Sequence, residues 1–449
     1  MPRYVALAAL GTALAAASLF AVGRGGLPSL RPAAPVAAPQ PEPAPFIKWN
    51  PGHYAMASAD LPLKKIERYW SRHPFCTDPR GAKYIEGVRL KFHWRALEPK
   101  KGQYDWRIID EYLRVMTQSC GDRPRRVMLA VDHQANNRDA NKESKRMCAP
   151  EYIWKMDGVW HFTRRTGKER CLARIWRPGV AEHYKNLAVA MARRYNDHPL
   201  VEYFSTKGEG SLGLPEERGD FERARYTQAL LDVAAAMRAH APNTAFTFGS
   251  NHFGRDKENF MPFVTAANSL PGFGWRWPDT FHTPDKPFPA TATHEYYKSF
   301  SGVHGPLAGE HQLPKRRGRK TSGYDNAWLH CCDPASEQRG VHPQTGKVVD
   351  VTWAATHPVW PRRDYDDKFN VENLLTVLAE RDGGVYSRAC PQAWTRHGVT
   401  CLTGGLPDAT TPIASAPEVR SKRERKRARK ERVQRGEQQG QQRRDQQRL

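Results

Sequence analysis

The body of this chain reads as an α/β protein, a (β/α)8 TIM barrel. Three observations predict that class. Between Phe46 and about Thr411, short apolar runs alternate with amphipathic helical stretches. Such alternation implies parallel strands, because a parallel crossover needs a connecting helix. The apolar runs number eight, which favours a closed barrel over an open doubly wound sheet.

The first strand is expected in IKWNPGHYAM, residues 47–56, and the second in IEGVRLKFHW, residues 85–94. WRIIDEYLRVMTQS then places Ile109, Tyr112, Leu113 and Met116 on one helical face. RRVMLAVDHQ, residues 125–134, is the third strand, and HYKNLAVAMARRY a helix striped by Tyr184, Leu187, Met191 and Tyr195. LVEYFSTKG, residues 200–208, is the fourth, followed by a helix striped by Tyr226, Leu230, Val233 and Met237. TAFTFGSN (244–251), GFGWRWPDTF (272–281), PLAGEHQ (306–312) and VVDVTWAATH (348–357) supply strands five to eight, and VENLLTVLAER the last helix. Residues 313–347, with PKRRGRK and the adjacent Cys331 and Cys332, fit no barrel element and read as an insertion over one mouth.

The ends differ in composition. Residues 1–26 hold one Arg, an apolar run from Tyr4 to Gly23, and Arg24. That is the pattern of an export signal, either cleaved or kept as an anchor. Pro and Ala repeat through residues 27–45 without a helical stripe, which predicts an extended linker. The barrel domain is expected over 46–411 and a disordered basic tail over 412–449. The formal net charge of +23 lies partly in that tail. Behind an export signal, such a tail suits anionic headgroups or acidic polysaccharide rather than a specific nucleic acid. The eight cysteines include no C-x-x-C and no paired His spacing for zinc, so disulfides are expected. Cys148 with Cys171 and Cys390 with Cys401 are the sequence-local pairings.

In either architecture the chemistry sits at the C-terminal strand ends. His93, Trp94 and Arg95 fall there after strand two, Asp132 and His133 after three, and Glu209 after four. Asn251 and His252 follow strand five, Asp279 six, Glu310 seven, and His357 with Trp360 eight. The run GEGSLG, residues 208–213, also matches G-x-G-x-x-G. A phosphate cradle must run straight into a helix N-terminus, yet LPEERGDFERA intervenes, so the match carries little. Two carboxylates are the better reading. Glycoside cleavage needs one carboxyl to protonate the leaving oxygen and another to attack or to activate water, about 5 Å apart in retaining enzymes. Glu209 and Glu310 end strands that can meet across a barrel mouth, each preceded by glycine; two ordinary loop glutamates are the plainer alternative.

The segment FHWRALEPKKGQYDWRIIDEYL, from Phe92 to Leu113, resembles the region after strand two in retaining clan A glycoside hydrolases. Family 42 β-galactosidases and their relatives carry a W-x-x-x-E-P-x-x-G-x-Y-D-W run there. ARRYNDHPLVEYFSTKGEG is similar to the segment that delivers the clan's acid/base, and GPLAGEHQ resembles the end that carries its nucleophile. The resemblance covers roughly Trp49 to Trp360. It implies Glu209 as general acid/base and Glu310 as nucleophile, with Glu295 a rival for the second role. The clan usually has Asn before the acid/base; here that position is Gly208. Arg95 and His133 are candidate substrate hydrogen-bond donors, Asn251 a further polar contact, and Trp360 an aromatic sugar platform. A retaining double displacement needs no cofactor. The expectation is therefore an exported glycosidase acting on a polysaccharide or oligosaccharide; the alternative is a glycan-binding barrel of the cell envelope without catalysis.

Overall fold

The structure is a computed structural model that describes residues 46–58, 61–136, 148–163, 169–207, 220–249, 271–277, 307–309, 356–360, 370–385 and 388–403. The expected leader, linker, basic tail and insertion at 313–347 lie outside these residues. The strands are β1 (Phe46–Lys48), β2 (His53–Ser58), β3 (Ile85–His93), β4 (Arg126–Asp132), β5 (Gln134–Asn136), β6 (Val159–Thr163) and β7 (Glu169–Ala173). They continue with β8 (Val201–Lys207), β9 (Ala245–Gly249), β10 (Phe273–Trp277), β11 (Leu307–Gly309), β12 (Val359–Trp360) and β13 (Thr400–Leu402). The helices are α1 (Leu63–Trp70), α2 (Pro74–Thr77), α3 (Pro79–Tyr84), α4 (Trp94–Leu97) and α5 (Arg107–Gln118). After them come α6 (Glu151–Lys155), α7 (Pro178–Tyr195), α8 (Arg223–His240), α9 (Val371–Glu380) and α10 (Gln392–Arg396).

Eight strands form one parallel sheet in the order β11-β10-β9-β8-β4-β3-β2-β12. From β2 to β11 spatial order follows chain order. The last strand, β12, then returns to the first, with Val359 opposite Tyr54 and Trp360 opposite Ala55. A doubly wound sheet instead reverses at a switch point. Return of the eighth strand to the first is barrel topology, and this decides between the two architectures. Strands two to seven lie within the expected runs, and the first, His53–Ser58, overlaps the end of its run and continues two residues past it, while the start of that run belongs to β1 outside the barrel sheet. The eighth lies outside its run: it is Val359–Trp360, just beyond VVDVTWAATH.

Alternation along the strands divides lumen from helix layer. Val88, Leu90 and Phe92 of β3, and Val127, Leu129 and Val131 of β4, are buried in the large core that includes the helix stripes. Tyr54, Met128, Tyr203, Ala245 and Val359 form a second cluster inside the barrel. Every stripe residue expected on α5, α7 and α8 is buried. Burying each large apolar side chain contributes about 1.5–3 kcal/mol, so these faces hold the helices to the sheet. At Gly87 a Cβ would meet the Arg126 carbonyl oxygen at 2.0 Å, so β3 and β4 approach there only because the side chain is absent.

A plug closes the N-terminal end. β1 pairs in parallel with β13, and Trp49 packs edge-on to Trp394 at 5.3 Å. The Lys48 ammonium, buried here, donates to the Asn196 and His198 carbonyls at 2.7 and 3.0 Å. Burial lowers its pKa to about 7. Glu202 accepts from the Asn50 backbone N–H at 2.6 Å and the Asn50 side-chain amide at 2.8 Å. His357 Nε2 lies 3.4 Å from the same carboxylate and Arg126 Nη1 3.6 Å. Trp49, Tyr54 and Tyr203 surround the His357 ring at 5.0, 5.7 and 5.9 Å. His357 was expected at the catalytic end; because strand eight starts at Val359, it instead precedes that strand and sits in the barrel floor.

Three disulfides bind the described residues. Both sequence-local pairings form, Cys148–Cys171 and Cys390–Cys401, and Cys76–Cys120 ties α2 to the end of α5. Cys331 and Cys332 lie outside the described residues. A feature with no counterpart in the sequence reading follows barrel strand three. There β5, β7 and β6 make an antiparallel sheet that Cys148–Cys171 ties to the start of α6. Among the described residues, no helix is long and apolar enough to cross a membrane.

Candidate active site

The C-terminal mouth is built first by the segment after β3. Trp94 and Glu98 lie one helical turn apart, so their side chains meet. Glu98, buried, accepts from Trp94 Nε1 at 2.7 Å through one oxygen and from the Gly102 N–H at 2.8 Å through the other. Gly102 has φ of +66°, a backbone region that favours glycine. Trp94 leans on Tyr184 of α7, and Trp106 meets Tyr195 edge-on. The W-x-x-x-E-P-x-x-G-x-Y-D-W pattern is therefore a clamp that shapes one wall of the mouth. Glu98→Ala is expected to destabilise by about 2–3 kcal/mol, since it strips the acceptor from the buried Trp94 indole and from the Gly102 N–H. Gly102→Ala should cost only about 1 kcal/mol, a backbone effect with open space around the new methyl. Chemical denaturation would measure both; equal costs would contradict the clamp.

Inside the mouth, Arg89, Lys91 and His93 alternate with the apolar outward residues of β3 and face the lumen. Asp132 of β4 pairs opposite His93 and holds Lys91 Nζ at 2.9 Å. Arg276 of β10 donates from Nε to Ser205 Oγ at 3.3 Å. Arg89 and Arg276 are both buried. Burial pushes the Tyr203 phenol beneath them up to about 12, while the two guanidinium charges pull the other way. Among the described residues, no group of His, Cys, Asp or Glu side chains could hold a metal ion.

Of the residues singled out in the sequence, Glu209, Glu310, Asn251 and the rival Glu295 lie outside the described residues. The strands leading to Glu209, Asn251 and Glu310 are in barrel positions four, five and seven. Arg95 is partly exposed on α4. His133 and Trp360 are not in the lumen. His133 is fully buried between Tyr184 of α7, edge-on at 5.2 Å, and Tyr226 of α8, whose hydroxyl lies 3.1 Å from His133 Nε2. Trp360 pairs with outward-facing Ala55, joins the helix-side core and donates to His53 Nδ1 at 2.9 Å. Burial lowers the His53 pKa to about 3, leaving a neutral acceptor for that indole. A sugar platform must show a ring face to the ligand, and Trp360 is 0% exposed. Of the residues that line the lumen, Asp132 is among those named at the strand ends, whereas Arg89, Lys91 and Arg276 are not. Their signal was in the sequence: VRLKFH alternates apolar and basic at period two.

Eight parallel strands in barrel order, with the tryptophan–glutamate clamp after the second, settle the architecture. The fold is a (β/α)8 barrel. No protein-family profile and no curated protein sequence matches the chain. Among solved structures it is similar to a β-galactosidase from the psychrophilic Marinomonas ef1, at 12% identity and a TM-score of 0.47. That alignment covers 75% of this chain and 61% of the β-galactosidase, so the chain spans less than two thirds of that protein's length. Endo-glycoceramidase II from Rhodococcus sp. aligns at 13% identity and a TM-score of 0.44, over 74% of this chain and 80% of that one. The catalytic domain of a β-amylase from Paenibacillus polymyxa aligns at 9% identity and a TM-score of 0.48, over 76% and 100%. The barrel itself is defined by the strand order above.

Proposed function

We propose that the protein is an exported retaining glycoside hydrolase, with Glu209 as general acid/base and Glu310 as nucleophile. The observation that carries this reading is where strands four and seven stop. β8 ends at Lys207 and β11 at Gly309, so each of these barrel strands runs within two residues of a Gly-Glu carboxylate in sequence. On this fold, reacting groups come from the C-terminal ends of strands. The disulfides support an extracytoplasmic setting.

In the first step, the Glu310 carboxylate attacks the anomeric carbon while Glu209 gives its proton to the departing oxygen. The glycosidic bond breaks as the glycosyl–enzyme ester forms. In the second step, Glu209, now ionised, takes a proton from water, whose oxygen displaces Glu310 and restores both groups. Arg89 and Arg276 put positive charge in the lumen under this chemistry, where low dielectric strengthens their hold on carboxylate oxygens. The test is turnover of a panel of aryl glycosides by wild type, Glu209→Gln and Glu310→Gln. Activity that survives both substitutions would remove the assignment.

A further inference from the structure

Helix α1 is charged against its own stability. Its inward face is Ile66 and Trp70, both buried. Its outward face is Lys64, Lys65 and Arg68, and Arg72 follows just past its end; all four are exposed. Pro62 precedes the helix without a side-chain capping bond, and no acidic residue lies in the first turn. Lys64 and Lys65 instead put positive charge at the positive end of the helix dipole. They also stand four and three residues before Arg68, spacings at which like charges repel. The acidic side chain of the helix, Glu67, is turned to α5, where Arg114 and Ser119 donate to its two oxygens at 2.6 and 3.1 Å. Among the described residues, none of the four cationic side chains has a hydrogen-bond or ion-pair partner. Exposed cations on or beside other helices do: Arg107 has Asp105, Lys155 has Glu151 and Arg225 has Glu222. Local rules of this kind are broken mainly at functional surfaces.

We propose that the outward face of α1 binds an acidic polysaccharide. Lys64 and Arg68 lie one turn apart, about 6 Å along the axis, and Ser71 keeps helical dihedrals, so Arg72 continues the line. Anionic groups spaced along a glycan supply the ion pairs that the chain itself does not. Placement favours a polymer over a lipid surface. α1 follows the C-terminal end of β2, so Lys64 and Lys65 stand at the mouth end of the barrel and the charge runs from there down its flank. A glycan leaving the mouth over this rim lies along it. A membrane-surface helix needs an apolar side turned to the lipid. Leu63, the exposed apolar residue of α1, is instead on the core side, one turn before Ile66. The choice of glycan rests on the hydrolase reading; the uncompensated charge does not.

The experiment titrates polygalacturonate, heparin and neutral dextran into the full chain and maps lysine acetylation by mass spectrometry. Either acidic polymer should protect Lys64 and Lys65, and dextran should not. Lys64→Glu/Lys65→Glu should bind the acidic polymer at least about tenfold more weakly. The same double variant should melt about 1–3 °C higher, because it corrects the dipole and gives Arg68 two partners. Lys155→Glu/Arg225→Glu makes the same change in net charge and should keep wild-type affinity, which separates α1 from the general attraction of a basic protein. Lys64 and Lys65 left unprotected in wild type overturn the proposal. So does a double variant that melts higher yet binds as tightly as the control, for then the face is merely solvated. Protection by phosphatidylglycerol vesicles but by neither acidic polymer replaces the glycan with a lipid surface. If the double variant melts lower than wild type, the wild-type footprint decides. Protection by an acidic polymer in a protein that hydrolyses no glycoside upholds this surface and sinks the hydrolase reading alone.

Discussion

Glu310→Gln is expected to retain less than about a thousandth of wild-type kcat, because an amide cannot form the glycosyl ester on which the reaction depends. Glu209→Gln should behave differently, and the difference separates the two roles. With an activated aryl leaving group, departure needs little protonation, so glycosylation proceeds and water attack becomes slow. Turnover then falls by about 10²–10⁴-fold while kcat/KM for that substrate falls much less, and glycosyl enzyme accumulates as a burst. A small anionic nucleophile such as azide needs no general base. It should restore turnover in Glu209→Ala, releasing a glycosyl azide of retained configuration; in Glu310→Ala it can only displace the aryl group directly, releasing a glycosyl azide of inverted configuration. The opposite pattern of configurations would exchange the two roles. Wild-type hydrolysis with inverted configuration would replace the retaining mechanism by one with carboxyls about 6.5–9.5 Å apart. If instead Glu295 is the nucleophile, Glu310→Gln keeps its activity and Glu295→Gln loses it.

What could be read in advance follows from which signals are local. Strands one to seven and the helix stripes were legible because periods of two and 3.6 residues differ within a few turns of chain. The eighth strand was not, since VVDVTWAATH is the more apolar run. Val359–Trp360 is set by pairing with Tyr54 and Ala55, a contact some three hundred residues distant that only closure creates. The side chains at strand ends failed for a related reason. Moving one residue along a strand exchanges lumen for helix layer. In β4, Met128, Ala130 and Asp132 face one way and Val127, Leu129 and Val131 the other, so an almost uniformly apolar run conceals its own parity. His133 thus looked like a ligand and is packed behind the sheet, whereas Asp132 was the lumen residue. In β3 the basic positions give the parity openly. The antiparallel sheet after β4 escaped because its strands are three to five residues long and its brace is a disulfide rather than a pattern.

The barrel floor supplies the largest expected effect on stability. Glu202→Ala should lower the free energy of unfolding by about 3–5 kcal/mol near neutral pH, because it takes the carboxylate away from the buried His357 and from the half-buried Arg126 and Asn50 donors. Burial alone would raise the Glu202 pKa. The His357 hydrogen bond, the Arg126 charge and the Asn50 N–H outweigh it and hold the group at about 2. That folded value lies below the usual 4.5, so the contribution is complete above about pH 4.5 and fades as pH falls toward 2. The gap is equivalent to about 3 kcal/mol. Denaturant unfolding of wild type and Glu202→Ala should therefore diverge fully at pH 6 and by only about half as much at pH 3. A difference that stays constant over that range would mean that Glu202 acts through packing rather than charge. Lys48, in the same floor, has the opposite sense. Its folded pKa of about 7 lies below 10.5, so the unfolded chain binds more protons between those values and stability rises with pH there. The two windows do not overlap, so the acid-side difference between wild type and Glu202→Ala is free of Lys48, and Lys48→Met tests the alkaline side. Both groups lie at the opposite end of the barrel from Lys91 and Asp132, so a floor variant that still folds should keep its KM.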